Sequence, residues 1–129
     1  MTRTYSGINI QYPISRLIYS GQKTVETRTY PLPSKYIGQE ILLIETPGKS
    51  REFSARIVAI IKFHQSFPYA SESAFYRDIK KHKVDKQSPW AWSSNKPKWG
   101  WPVTLIKTFK TPIPLRKKKG IVFTIGIEI

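Results

Sequence analysis

Residues 20–28 read Ser-Gly-Gln-Lys-Thr-Val-Glu-Thr-Arg, and three of them, Lys23, Glu26 and Arg28, could do chemistry together. A lysine and an arginine can each hold a phosphate. A carboxylate between them can orient the arginine by accepting from its fork of donors, or accept from a base amino group. On a strand over 24–28, Thr24, Glu26 and Arg28 share one face while Val25 and Thr27 point the other way. Two readings follow: a solvated edge strand, whose ion pair would be worth well under ~1 kcal/mol, or one wall of a cleft. Gly21, closing the element before it, aims Lys23 over the entrance to the same face and favours the cleft.

A second group lies in 88–103, Ser-Pro-Trp-Ala-Trp-Ser-Ser-Asn-Lys-Pro-Lys-Trp-Gly-Trp-Pro-Val. Rings interleaved with cations on a loop suit base stacking with phosphate contact, as in single-strand binders. The bland alternative is that some tryptophans plug the core, since tryptophan is mostly buried on average. Trp101, starting a strand, is assigned to the core. Trp90, Trp92 and Trp99, with Lys96 and Lys98, are the expected ligand-facing residues, joined by Tyr30 just beyond the first group.

The elements that must position these groups follow from punctuation and periodicity. A strand is expected at 8–10, then a helix from Pro13 through Ser20, with Pro13 in its first turn and Gly21 as a left-handed cap. Ile14, Leu17 and Ile18 form its apolar face. The prolines and glycine of 30–38 make a loop before an apolar strand at 40–45, and 47–49 is a turn. Residues 53–63 read as a long strand, exposed at one end and buried on both faces at the other. A second helix begins near Ser71 or Ser73, acidic early and basic late as a helix dipole favours. Phe75 and Ile79, one turn apart, should dock it. Residues 83–98 are mostly loop, and strands at 101–109 and 121–129 are joined by a proline-rich connection. Strands outnumber helices without alternating with them, which favours a small antiparallel or mixed barrel over a doubly wound sheet.

Composition narrows the function classes. The chain has 129 residues, enough for a single domain (1–129) with one core and no staples. It contains no cysteine, which excludes disulfides, thiol catalysis and Cys-ligated zinc and agrees with a reducing compartment. The two histidines, His64 and His82, are far apart, and each reads as a surface or satisfied residue; no metal site and no cofactor are expected. No apolar segment is long enough to span a membrane, and the start lacks a signal-peptide core, so a soluble cytoplasmic protein is expected. Lysine and arginine number 22 against 8 acids, a net charge of +14 that calls for a polyanionic partner. Nucleic acid leads; a membrane surface does not, for want of a basic amphipathic helix with a broad apolar face. The basic residues crowd the last third, ending in the run Arg116, Lys117, Lys118 and Lys119, read as a hairpin tip adding long-range attraction rather than a targeting signal.

The spacing Gly21-x-Lys23-x-x-Glu26-x-Arg28, after a short helix with Pro13, Leu17 and Ile18 and before the strand at 37–43, resembles the signature of the ASCH domain, a family of the PUA-like superfamily of small β-barrels. The resemblance implies a β-rich α+β fold, a PUA-like barrel of five or six strands with two flanking helices. Lys23, Glu26 and Arg28 would converge in a cleft that binds RNA or accepts a base. Some ASCH-like proteins look like enzymes. In one group, amidohydrolases acting on acylated cytidine, the nucleophilic threonine would fall on Glu26, and a carboxylate cannot take that role. Ribonuclease action, metal-independent or metal-assisted, has candidates in Glu26 as base, Lys23 or Arg28 as charge stabiliser and Tyr30 as proton donor. The expectation is a nucleic-acid-binding module, RNA favoured over DNA. A ribonuclease is the alternative, followed by an amidohydrolase acting on a modified nucleoside, and an acidic-protein-binding module is a further reading.

Overall fold

A computed structural model describes residues 2–48, 53–115 and 122–129. In chain order the elements are β1 (Thr4–Gln11), α1 (Ile14–Tyr19), β2 (Val25–Arg28), a 3-10 turn (Ser34–Tyr36), β3 (Glu40–Thr46), β4 (Arg56–Phe63), β5 (Phe67–Pro68), α2 (Glu72–Arg77), α3 (Ile79–His82), β6 (Trp99–Pro114) and β7 (Phe123–Glu128). They fall into two compact units interleaved in sequence. The first takes Met1–Gly21, Glu40–Lys62 and Leu105–Ile129; the second takes Gln22–Gln39 and Phe63–Thr104.

In the first unit β1 runs parallel to β3 and antiparallel to β7, while β3 pairs antiparallel with β4. The continuous apolar runs of β3 and β4 are the reason for their central places. Ile41, Leu42, Leu43, Ile44, Ala59 and Ile61 are all fully buried, which only strands covered on both faces allow. Each such leucine or isoleucine contributes roughly 1.5–3 kcal/mol relative to exposure. One charged residue shares this interior. Glu45 accepts from the Ser15 hydroxyl at 2.7 Å and from Arg56 Nε and Nη2 at 2.9 and 2.8 Å, the pairing that a buried carboxylate requires. The nearby Tyr19 phenol is pushed above its ordinary pKa, by burial first and by Glu45 second.

In the second unit β6 pairs antiparallel with β2, Glu26 opposite Trp101, and with β5, Phe67 opposite Gly100. Gly100 is required by a close approach, since a Cβ there would lie 2.6 Å from Phe67 Cζ. Trp101 fills the centre of this unit, edge-on to Phe63 at 5.5 Å. A second cluster joins Tyr69, Phe75 and Val84, with His82 stacked on Phe75 at 4.2 Å. The Tyr69 hydroxyl donates to Asp78 at 2.9 Å, and burial together with that carboxylate raises its pKa.

The chain is strand-rich with few helices, as its pattern predicts, but the described residues form seven strands rather than five or six and three short helices rather than two. The second expected helix breaks at Asp78, whose backbone (φ −96°, ψ 14°) ends α2 and starts α3. That break separates the expected docking pair: Phe75 is fully buried and Ile79 is exposed. β6 runs on through Pro112 and Pro114, where the proline-rich sequence suggested a loop, and β4 begins at Arg56 rather than at 53. Around α1 the turn is as expected: Gly21 follows it at φ +82°, in the left-handed region. Pro13 precedes α1 as its cap instead of entering it. The basic run 116–119 lies outside the described residues.

Candidate functional site

Lys23, Glu26 and Arg28 do come together, all within the second unit. Glu26 Oε1 lies 3.5 Å from the Lys23 ammonium, and Glu26 Oε2 accepts from Arg28 Nε and Nη2 at 3.2 and 3.0 Å. The same carboxylate accepts the Thr27 backbone N–H at 3.2 Å. One carboxylate therefore binds two cations, and the cluster carries a surplus positive charge. It is also largely out of water: the side chains of Lys23 and Glu26 are 3% and 7% exposed, that of Arg28 21%. Glu26 and Arg28 share one face, as expected, and Trp101 lies on it, opposite Glu26 in register and beneath Arg28.

Local folding explains the placement. β2 is short, and its start is tied to the end of α3, where the Thr24 N–H donates to the Lys81 carbonyl at 2.9 Å and the Lys23 ammonium donates to the His82 carbonyl. A lysine ammonium at a helix C-terminus suits the carbonyls there that lack an intrahelical donor. Burial lowers the Lys23 pKa, and the Glu26 carboxylate opposes the shift without cancelling it. Arg28 lies over the Trp101 ring, 5.5 Å from its centroid. The Trp101 indole N–H donates to the Tyr30 carbonyl at 3.0 Å, and the Tyr30 ring meets Trp101 edge-on at 5.6 Å. Tyr30 is exposed, so Arg28 and Tyr30 are the members of this group that reach solvent.

The tryptophan loop divides differently from its sequence reading. Trp101 is core, as expected, and Trp90 is exposed. Trp92 packs instead against the Tyr69–Phe75–Val84 cluster, 5.8 Å from Phe75. Trp99 is half-buried in β6, opposite Arg28. Lys96 is exposed, whereas Lys98 is buried and donates its ammonium to the Trp90 carbonyl at 2.7 Å. Burial, and secondarily the charge of Lys96, lowers the Lys98 pKa.

Of the two expectations for His82, surface or satisfied, the second holds. Its ring is fully buried and doubly engaged: Nε2 donates to the Phe75 carbonyl at 2.7 Å, and Nδ1 accepts the Val84 N–H at 3.0 Å. Burial lowers its pKa, the hydrogen bond to Phe75 opposes this, and Lys23 and Lys98 push it down further. Its backbone carbonyl as the Lys23 acceptor carries no sequence signal, because any residue supplies one. Among the described residues no cluster of histidine, aspartate and glutamate could hold a metal, and no helix is long and apolar enough to cross a membrane.

No protein-family profile matches the chain, and no curated protein matches it. Solved structures do. The crystal structure of ASCH from Zymomonas mobilis superposes with a TM-score of 0.72 at 16% identity, covering 93% of this chain and 85% of that one. A serine-to-alanine variant of that protein gives 0.71 at 16% identity over 93% and 86%, and a tyrosine-to-phenylalanine variant 0.71 at 16% over 95% and 90%.

Proposed function

From a chain with the fold of an ASCH domain, we propose an RNA-binding function, exercised in the cytoplasm by a PUA-like barrel through the surface around Arg28 and Tyr30. The observation that carries this reading is the charge imbalance of the Lys23–Glu26–Arg28 cluster. Two cations sharing one carboxylate in a low-dielectric setting are under-compensated. A phosphate arriving at the partly exposed edge of Arg28 supplies the missing negative charge. Glu26 and Trp101 fix the guanidinium plane from the side and from below, so little freedom is lost when the phosphate is engaged. The exposed ring of Tyr30 stands ready for a base. The net charge of +14 brings a polyanion to this surface from a distance. Lys23 and Glu26 act from beneath, as supports.

A ribonuclease reading, with Glu26 as base, is favoured by one observation, the Glu26 carboxylate held 3.0 Å from Arg28 while Arg28 and the exposed Tyr30 both lie against Trp101. Tyr30 would be the proton donor and Arg28 the charge stabiliser. Incubating labelled single-stranded RNA with wild type and Arg28→Ala at two salt concentrations, then reading bound fraction and RNA integrity on one gel, separates the readings. Intact RNA, bound in a steeply salt-dependent way and less well by Arg28→Ala, supports binding. Cleavage that disappears in Arg28→Ala makes the protein an enzyme. Equal binding by both proteins sinks the Arg28 surface.

A further inference from the structure

Trp90 is 42% exposed, yet the backbone on both sides of it is fastened. Its own N–H donates to the Ser88 hydroxyl at 3.1 Å, and the Ala91 N–H donates to the Ser88 carbonyl at 3.1 Å. Its carbonyl accepts from the Lys98 ammonium at 2.7 Å. Two residues on, the Trp92 N–H donates to the Tyr76 hydroxyl at 3.1 Å while the Trp92 ring packs on Phe75. A buried ammonium spent on one loop carbonyl is an expensive device for holding a loop. Here it fixes the point from which a large ring enters water.

We infer that Trp90 is a fixed stacking platform for an unpaired base of a single-stranded nucleic acid, with Lys98 as the residue that positions it. The inference rests on the nucleic-acid reading above and narrows it to strands whose base faces are free. The occupant follows from chemistry. A flat ring carried on a fastened backbone offers its π-face to another flat ring with the ordering of the loop already made, and any base can use it. From Lys86 to Trp99 the chain has no acid, and the charge of Lys96 acts on Lys98, so the platform sits in a positive field suited to a phosphate backbone. A duplex hides its base faces inside the stack and gains nothing from the indole beyond charge. Lys23 and Lys98 both act on the ring of His82, so the platform and the Lys23–Glu26–Arg28 cluster share a neighbour within one unit.

The test measures affinity for a labelled oligouridine RNA and for an RNA duplex of equal phosphate count at one salt concentration. Trp90→Ala is expected to lose roughly tenfold on the single strand and nothing on the duplex, with Trp90→Phe keeping most of the affinity. Lys98→Met is expected to weaken single-strand binding more in the wild-type background than when Trp90 is alanine, where only the loss of one charge remains. Lys96→Met removes the same charge without holding the loop, so its effect should persist in both backgrounds and on both ligands. Unchanged single-strand binding by Trp90→Ala, or an equal loss on the duplex, overturns the platform while leaving the RNA reading intact. Failure of the wild type to bind either RNA overturns both.

Discussion

The ammonium of Lys23 is bonded to the backbone carbonyl of His82, so the first cation of the candidate site also closes the end of α3. Removing it leaves Glu26 with one cation and strips a buried carbonyl of its donor. Breaking a buried ion pair by deleting one partner typically costs about 3–5 kcal/mol. Lys23→Ala should therefore lower the urea midpoint strongly, while Arg28→Ala, with its more exposed side chain, should lower it less. Equal midpoints for the two variants would remove the structural role assigned to Lys23.

The buried imidazole of His82 sets a pH dependence. Its folded-state pKa lies below its ordinary value, so the folded chain holds it neutral while the unfolded chain takes up a proton near pH ~6.5. Its contribution is fully present above that pH and is lost progressively as pH falls toward the folded-state value. The groups that face it are Asp78, which favours the charged ring, and Lys23 and Lys98, which oppose it. Urea unfolding from pH 8 to pH 5 should show stability falling by at most about 1.4 kcal/mol per pH unit below the midpoint. In His82→Gln that slope should vanish.

Two tryptophans one loop apart should behave oppositely. Trp101 is fully buried under Arg28 and gives its indole N–H to the Tyr30 carbonyl, so Trp101→Ala should cost about 3–5 kcal/mol. Trp90→Ala should stay within about 0.5 kcal/mol of wild type, as expected of an exposed position. Thermal melts of the two variants decide the matter. A large loss for Trp90→Ala would mean that its ring supports the fold.

Gly100→Ala should destabilise by about 1–3 kcal/mol, because the new methyl meets the Phe67 ring, itself packed edge-on to Tyr69 at 4.9 Å. Phe67→Leu should remove part of that cost. Strict additivity of the two substitutions in denaturant unfolding would contradict the contact.

In the first unit, Arg56→Ala should cost about 3–5 kcal/mol by leaving the Glu45 carboxylate buried with the Ser15 hydroxyl and no cation. Replacing both Arg56 and Glu45 by apolar residues of similar size should recover most of the loss. Without recovery, the damage would lie in packing, for which the contact of Arg56 over the Phe53 ring at 4.0 Å is the natural source.

The sequence showed what is local. The proximity of Glu26 and Arg28 follows from spacing on one short strand, the positive φ at Gly21 from turn chemistry, and the burial of β3 and β4 from their apolar runs. What it did not show depends on partners distant in the chain. The burial of Lys23 depends on α3, and the place of Trp101 on the face shared by Glu26 and Arg28 is known only from the Glu26–Trp101 register. Trp92 and Trp90 look equivalent until Phe75 and Tyr76 claim the first. Lys98 resembles a phosphate-seeking lysine until the loop folds back and offers a carbonyl. The break at Asp78 follows no proline or glycine, and the tie to the Tyr69 hydroxyl is a tertiary contact that helical periodicity does not anticipate.

β5 is two residues long and ends in proline, and among the described residues it pairs with β6 alone. A longer strand there would present a row of free amides and carbonyls to any passing extended chain. Pro68 has no amide hydrogen to offer, and the strand stops before a ladder could be propagated. This edge therefore offers no template for sheet-to-sheet self-association at high local concentration.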